Sequence, residues 1–154
     1  VPYAQQLEVF RYQLGLAAKH RRPVLIHSKG YEEAVLRELR DFPETIIIHW
    51  YSCQDSELLD RFIARGVYFT LGPDNGQTND TRSVWERVPL DRLLLETDGL
   101  GAIAWAEGHN DPLPPERLLS SLDERVTQLA ALRQCSEPEL REQIRQTSLR
   151  LLHQ

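Results

Sequence analysis

The chain has 154 residues, 41% of them hydrophobic and 27% charged, which is enough for one ordinary globular core. Its formal net charge of −5 disfavours a sequence-independent nucleic-acid binder, which needs Lys and Arg to neutralise phosphates. A nuclease is not excluded, because carboxylates that hold divalent cations count as negative. No apolar run approaches the roughly 18 residues of a membrane span, and two distant cysteines build no disulfide framework. These features predict a cytoplasmic protein without a membrane segment.

Four short apolar runs alternate with segments of helical period, which is typical of a parallel sheet with crossover helices. The predicted strands are residues 23–27, 45–49, 67–72 and 93–98. Most of them should be buried on both faces. They begin at nearly constant intervals, which favours a barrel over an open sheet.

Apolar residues at helical spacing predict helices that include residues 7–17, 58–63, 118–129 and 140–151. Gly66 is placed to end the second of these helices, and the capping box Ser136–Glu139 is placed to begin the last. Residues 72–80 and 99–115 are rich in Gly, Pro, Asn or Asp and are predicted to be loops.

Three of the four predicted strands end on a residue that can bind a metal, namely His27, His49 and Asp98. The carboxyl ends of parallel strands lie at one edge of the sheet, where loops and helix N-termini form the reactive face. Neighbouring strands are only about 4.8 Å apart, so imidazoles at two strand ends can reach one cation. Any one of these residues could instead cap a helix or form a hydrogen bond to a loop, but three together favour a metal site.

Glu96 precedes Asp98 by two positions, and the alternation of a strand puts both carboxylates on one face. A buried unpaired charge is costly, so a cation or a hydrogen-bond partner is expected beside them. For Glu96 alone, a salt bridge to an arginine across the core is a second interpretation.

Other side chains near the predicted strand ends have two interpretations each. Lys29 could contact a substrate phosphate or lie in solvent, and His109 could contact substrate or face solvent. Trp50 and Tyr51 directly follow His49, where they could stack on a base or pack at a barrel rim.

With these residues identified, the chain resembles the TatD family of metal-dependent deoxyribonucleases, a group of TIM-barrel hydrolases. The segment that ends in His27-Ser28 looks like the fifth strand of that barrel, and the segments that end in His49-Trp-Tyr-Ser52 and Gly72 look like the sixth and seventh. The most specific match is Leu93-Leu-Leu-Glu-Thr-Asp98, which looks like the eighth strand. The fold implied is α/β, a partial TIM-barrel-type metal-dependent hydrolase with about the last four βα units, so that residues 1–154 form the C-terminal half of the barrel.

The resemblance implies a phosphodiester hydrolase that uses two divalent cations (Mg, Mn or Zn) to activate a water molecule and cleaves DNA or another phosphodiester. His27 and His49 would bind metal, Asp98 would bind metal and act in catalysis, and Lys29 would contact the substrate. The family's His-x-His on its first strand and bridging Glu on its fourth have no counterpart in this sequence, so a missing N-terminal half is the expected partner. The absence of methionine also predicts a processed or partial chain. The family often has Ala-Pro after the last Asp, where this chain has Gly99-Leu100.

Two alternatives follow from the incomplete ligand set. One is a truncated or split chain without catalysis that acts at most as a binding module, which metal stoichiometry would distinguish. The other is an open-sheet α/β regulatory domain, which predicts a stable monomer without metal dependence. The ligands at the strand ends disfavour the second alternative.

Overall fold

Helices and strands alternate along the chain in the computed structural model, which describes residues 1–152 apart from the side chain of Asn79. The elements are α1 (Tyr3–Lys19), β1 (Val24–Ile26), α2 (Glu32–Glu38), β2 (Ile46–Ile48), α3 (Ser56–Arg65), β3 (Tyr68–Leu71), α4 (Asn79–Arg87), a 3₁₀ turn (Leu90–Arg92), β4 (Leu93–Leu95), α5 (Gly99–Glu107), α6 (Arg117–Arg133) and α7 (Glu137–Leu152). Across these residues we find no helix with the length and apolar character that a bilayer span requires.

The four strands form one parallel sheet in the order β1-β2-β3-β4. Each strand pairs with the next one along the chain, which is the neighbour relation of a (β/α)8 barrel. The predicted α/β class, the parallel sheet and the four strand positions are therefore confirmed. Because the strands are parallel, the residues that follow β1, β2 and β4 all lie at the same edge of the sheet.

The connection from β2 to β3 illustrates how local sequence sets these boundaries. Helix α3 begins after Asp55, whose carboxylate accepts hydrogen bonds from the backbone N–H groups of Glu57 and Leu58. It ends at Gly66, where the backbone has φ of 79°. Glycine adopts this left-handed conformation at little steric cost, so the predicted helix end at Gly66 is confirmed.

The two faces of the sheet differ in how well they are covered. The face that packs against the helices is closed: Ile48, Phe69 and Leu93 are completely buried. On the opposite face Leu25 is 62% exposed, so β1 is an exception to the prediction that most strands are buried on both faces. By the alternation of a strand, Leu25 shares this open face with His27. In a closed barrel the same face would line the interior.

The segment predicted as a loop over residues 99–115 is wrong in its first part, because Gly99–Glu107 is helix α5. The glycines at each end suggested a loop, but the residues between them are mostly Ala, Ile, Trp and Glu, and Ile103 is completely buried. Packing of that side chain offsets the weak helix propensity of glycine. Helices α2 and α4 were also absent from the predicted set, and α4 shortens the predicted loop over residues 72–80.

Candidate metal centre

His49 directly follows β2 and is 7% exposed. Its Nδ1 lies 2.6 Å from Oε2 of Glu96. A carboxylate can only accept, so Nδ1 carries a hydrogen, and the neutral form of the ring then has its lone pair on Nε2. That Nε2 atom is buried and has no hydrogen-bond partner in the described part of the chain. A buried polar atom without a partner is unfavourable, and an imidazole nitrogen with a free lone pair is a group that can bind a metal ion.

Glu96 follows β4 and uses both of its carboxylate oxygens within the protein. Oε2 accepts from His49, while Oε1 accepts from the Thr70 hydroxyl at 2.7 Å. The hydroxyl oxygen of Thr70 in turn accepts from the backbone N–H of Trp50 at 2.9 Å. The hydrogen-bond partners of Glu96 are therefore a histidine and a threonine, and among the described residues no arginine forms a salt bridge with it. This chain of hydrogen bonds fixes the orientation of the His49 ring.

Asp98 has a left-handed backbone with φ of 51°, and it occupies the N-cap position of α5. Its side chain is 46% exposed, with Oδ1 lying 3.8 Å from Nε2 of His49. The carboxylate does not cap the helix. The N–H of Gly99 instead donates to the Thr97 hydroxyl. The carboxylate of Asp98 is thus left beside the unpartnered nitrogen of His49.

His27 follows β1 on the neighbouring strand and is exposed. The centroids of its ring and the His49 ring are 4.0 Å apart, with the two planes inclined at 57°. The structure thus brings His27, His49 and Asp98 together at one edge of the sheet. Lys29 is also exposed, two residues beyond His27, and stays a candidate by position alone.

The three ligand candidates fit a divalent cation in their chemistry, because imidazole and carboxylate ligands suit Zn, Mn or Mg. The positions of these side chains, however, provide only part of a metal coordination shell. Across residues 1–152, no three His, Cys, Asp or Glu side chains are arranged to hold a metal ion by themselves. The unpartnered Nε2 of His49 and its Nδ1 contact to Glu96 match the usual arrangement of a metal-binding histidine, whose second nitrogen donates to a carboxylate.

Three residues near this centre escaped the sequence analysis. Thr70 could have been found by alternation along β3, which places it on the same face as the ligands of the neighbouring strands. Asp74 lies in a loop rich in turn residues and gave no distinct signal, yet it is 5% exposed and binds the indole of Trp50. Trp105 was assigned to a loop, so its position on α5 could not be anticipated.

Two other sequence candidates do not join the centre. Tyr51 is 2% exposed, and its ring packs edge-on against Phe62 and Phe69. Tyr51 is therefore a core residue and cannot stack on a base, and its burial raises the pKa of the phenol. His109 is exposed, with Nε2 lying 3.4 Å from a carboxylate oxygen of Glu107.

Several curated proteins are similar in sequence to parts of this chain. A protein described as a metal-dependent hydrolase from Haemophilus influenzae is 29% identical over 123 residues, which are 77% of this chain and 46% of that protein. A 3'-5' ssDNA/RNA exonuclease TatD from Yersinia pseudotuberculosis is 32% identical over 101 residues, which are 62% of this chain and 38% of that protein. The chain thus spans less than half the length of these relatives.

Solved structures extend the comparison to almost the whole chain. The crystal structure of YjjV, a TatD homologue from Escherichia coli, superposes with a TM-score of 0.79 at 25% identity. The match covers 97% of this chain and 57% of the YjjV chain. The partial TIM-barrel-type fold expected from the resemblance is confirmed by this match. The model of the family described as TatD related DNase matches residues 1–153, and the chain therefore belongs to that family.

Proposed function

We propose that this chain supplies part of the catalytic centre of a metal-dependent hydrolase that cleaves phosphodiester bonds in nucleic acid. The observation that carries the proposal is the buried Nε2 of His49, which has no hydrogen-bond partner among the described residues and lies 3.8 Å from Oδ1 of Asp98. His27, His49 and Asp98 would hold the cations. Single-stranded DNA or RNA is the proposed substrate, in keeping with the name of the Yersinia pseudotuberculosis relative.

Two divalent cations, when bound, would act as Lewis acids on the phosphate and raise the acidity of the attacking water. The residues of the chain have separate tasks in this scheme. Glu96 would hold the hydrogen of His49 at Nδ1, which leaves the lone pair of the neutral ring on Nε2. Asp98 places a carboxylate beside this nitrogen and would accept a proton from the attacking water. Lys29 would contact a non-bridging oxygen of the phosphate.

The remaining ligands are proposed to come from an N-terminal half of the barrel. The open face of β1, where Leu25 is 62% exposed beside His27, is the surface that such a half would cover. The unpaired edges of β1 and β4 in the described sheet would pair with its strands. On this proposal residues 1–154 are the second half of a (β/α)8 barrel.

The coding region upstream of Val1 and the intact mass of the natural protein test this proposal first. We expect a strand with His-x-His and a later strand with a ligand Glu, either in the same polypeptide or in a bound partner. The purified protein should hold about two divalent cations and should lose the cleavage of a labelled single-stranded oligonucleotide in EDTA. A natural protein with no such strands and no bound metal would contradict the proposal and favour a binding fragment without catalysis.

A further inference from the structure

Two tryptophans lie next to the candidate metal centre, on the two elements that carry its ligands. Trp50 directly follows His49, and Trp105 lies on α5, the helix that begins at Asp98. Their ring centroids are 5.8 Å apart in an edge-to-face arrangement. Trp105 is 66% exposed, whereas Trp85, which packs in the core, is 2% exposed. An exposed indole in edge-to-face contact with a second indole is unusual for a side chain that only fills space.

The indole of Trp50 is held in one orientation by polar groups. Its Nε1 donates to Oδ1 of Asp74 at 3.0 Å, and the other oxygen of Asp74 accepts from the Thr81 hydroxyl. Asp74 is 5% exposed, so a buried carboxylate is committed to this contact. The backbone of Trp50 has φ of 38°, a conformation that is strained for a bulky residue.

The backbone beneath the indole is also adapted to it. A Cβ on Gly72 would lie 2.3 Å from ring atoms of Trp50, so only glycine allows the ring to rest there. The carbonyl of Gly72 accepts from Nε of Arg125 at 2.9 Å, and Arg125 is 1% exposed. The loop after β3 contacts this ring directly, and residues of α4 and α6 hold Asp74 and Gly72 of that loop in place. Such support exceeds what a rim residue requires and is typical of a preorganised binding group.

We propose that Trp50 and Trp105 form a stacking platform, on which an unpaired base of single-stranded nucleic acid binds while its phosphodiester lies at His49 and Asp98. This inference rests on the proposed function, since it assigns the nucleobase contact of the same site. The platform is continuous with the ligands: the helical rise places Trp105 about 10 Å from Asp98, within reach of a short stretch of the same strand. Stacking uses the π face that all bases share, so the platform selects single strands without selecting a sequence.

The test measures binding of a fluorescent oligothymidylate by the natural full-length protein in EDTA, with a fully abasic strand of equal length as the second ligand. We expect Trp105→Ala to weaken binding of the base-containing strand about tenfold and to leave binding of the abasic strand unchanged. Trp105→Phe should restore most of the affinity, because it keeps an aromatic face. Leu119→Ala is the matched control, since Leu119 is 72% exposed on α6, and its affinity should equal that of the wild type.

A second variant acts on the platform without removing either indole. Gly72→Ala should displace Trp50 and weaken binding of the base-containing strand selectively, with the unfolding temperature recorded to separate this effect from a loss of folding. Equal affinity of the wild type and Trp105→Ala for the oligothymidylate, equal losses on both strands, or no measurable binding by the wild type would each overturn the platform.

Cleavage measured in parallel separates this inference from the proposed function. Cleavage of the abasic strand by the metal-loaded protein, together with unchanged binding in Trp105→Ala, leaves the hydrolase proposal standing and rejects the platform. Base-dependent binding without cleavage of any strand would support the platform and contradict the hydrolase proposal.

Discussion

Asp98→Asn should lower phosphodiester cleavage by about 10²- to 10⁴-fold and leave the fold intact. The change removes the negative charge and the proton acceptor beside Nε2 of His49, and a positioned general base typically contributes a factor of this size. The backbone should tolerate asparagine well, because Asn adopts left-handed conformations such as φ of 51° more readily than most residues. Steady-state cleavage of a labelled single strand at saturating divalent cation measures the effect.

The stability of the Asp98→Asn protein should change little, because the Asp98 carboxylate does not cap α5. A change within about 0.5 kcal/mol in the free energy of unfolding is expected for the metal-free protein. Asp41→Asn is the matched control: Asp41 is exposed between α2 and β2, at the opposite edge of the sheet, and its cleavage rate should equal that of the wild type. A rate for Asp98→Asn within threefold of the wild type would exclude a catalytic role for this carboxylate.

The strands and their terminal ligands could be predicted from the sequence because their signals are local. An apolar run that ends in a histidine or an aspartate can be recognised from five or six consecutive residues. Parallel pairing then brings residues that are distant in sequence to one edge of the sheet. His27 and His49 are 22 positions apart in sequence, yet their rings are in contact range. The prediction required only the strand order, which the structure confirms.

The support around the ligands could not be predicted, because it depends on contacts between distant segments. The sequence did not distinguish whether Glu96 pairs with an arginine or with another group. The actual partners depend on how side chains from β2, β3 and β4 pack together. Helix α5 was missed because its terminal glycines are loop signals, while the burial of Ile103 that stabilises it is a tertiary effect. The contact between Trp50 and Trp105 depends on that helix, so it could not be predicted either.

The contact from Glu96 to His49 should be worth about 10- to 100-fold in metal affinity. Metal-binding histidines depend on the carboxylate or carbonyl that receives their other N–H, and loss of this partner usually costs that factor. Glu96→Ala should show the full loss, because the ring of His49 can then rotate and its hydrogen can move to Nε2. Glu96→Gln should lose less, since an amide oxygen can still accept from Nδ1 but carries no full charge. Calorimetric titration of the metal-free natural protein with Zn²⁺ or Mn²⁺ measures both.

Thr70 provides a graded comparison within the same chain of hydrogen bonds. Thr70→Ser keeps the hydroxyl that donates to Glu96 and accepts from the Trp50 N–H, so it should retain the affinity of the wild type. Thr70→Val has nearly the same volume but lacks the hydroxyl, and it should weaken metal binding to a smaller degree than Glu96→Ala. Glu139→Gln, on the exposed side of α7, controls for the loss of one negative charge.

A measurement on the metal-free protein separates ring positioning from a general loss of structure. Nitrogen NMR of the imidazoles should show His49 with its hydrogen on Nδ1 in the wild type and in Thr70→Ser, and a mixture of tautomers in Glu96→Ala. If Glu96→Ala kept the Nδ1 tautomer and the full metal affinity, the contact at 2.6 Å would have no role in preparing the ligand. If the tautomer changed while the affinity did not, Nε2 of His49 would not be the atom that binds the cation. The NMR spectrum and the metal titration together therefore test whether Nε2 of His49, which has no hydrogen-bond partner in the fold, is the atom that binds the metal ion.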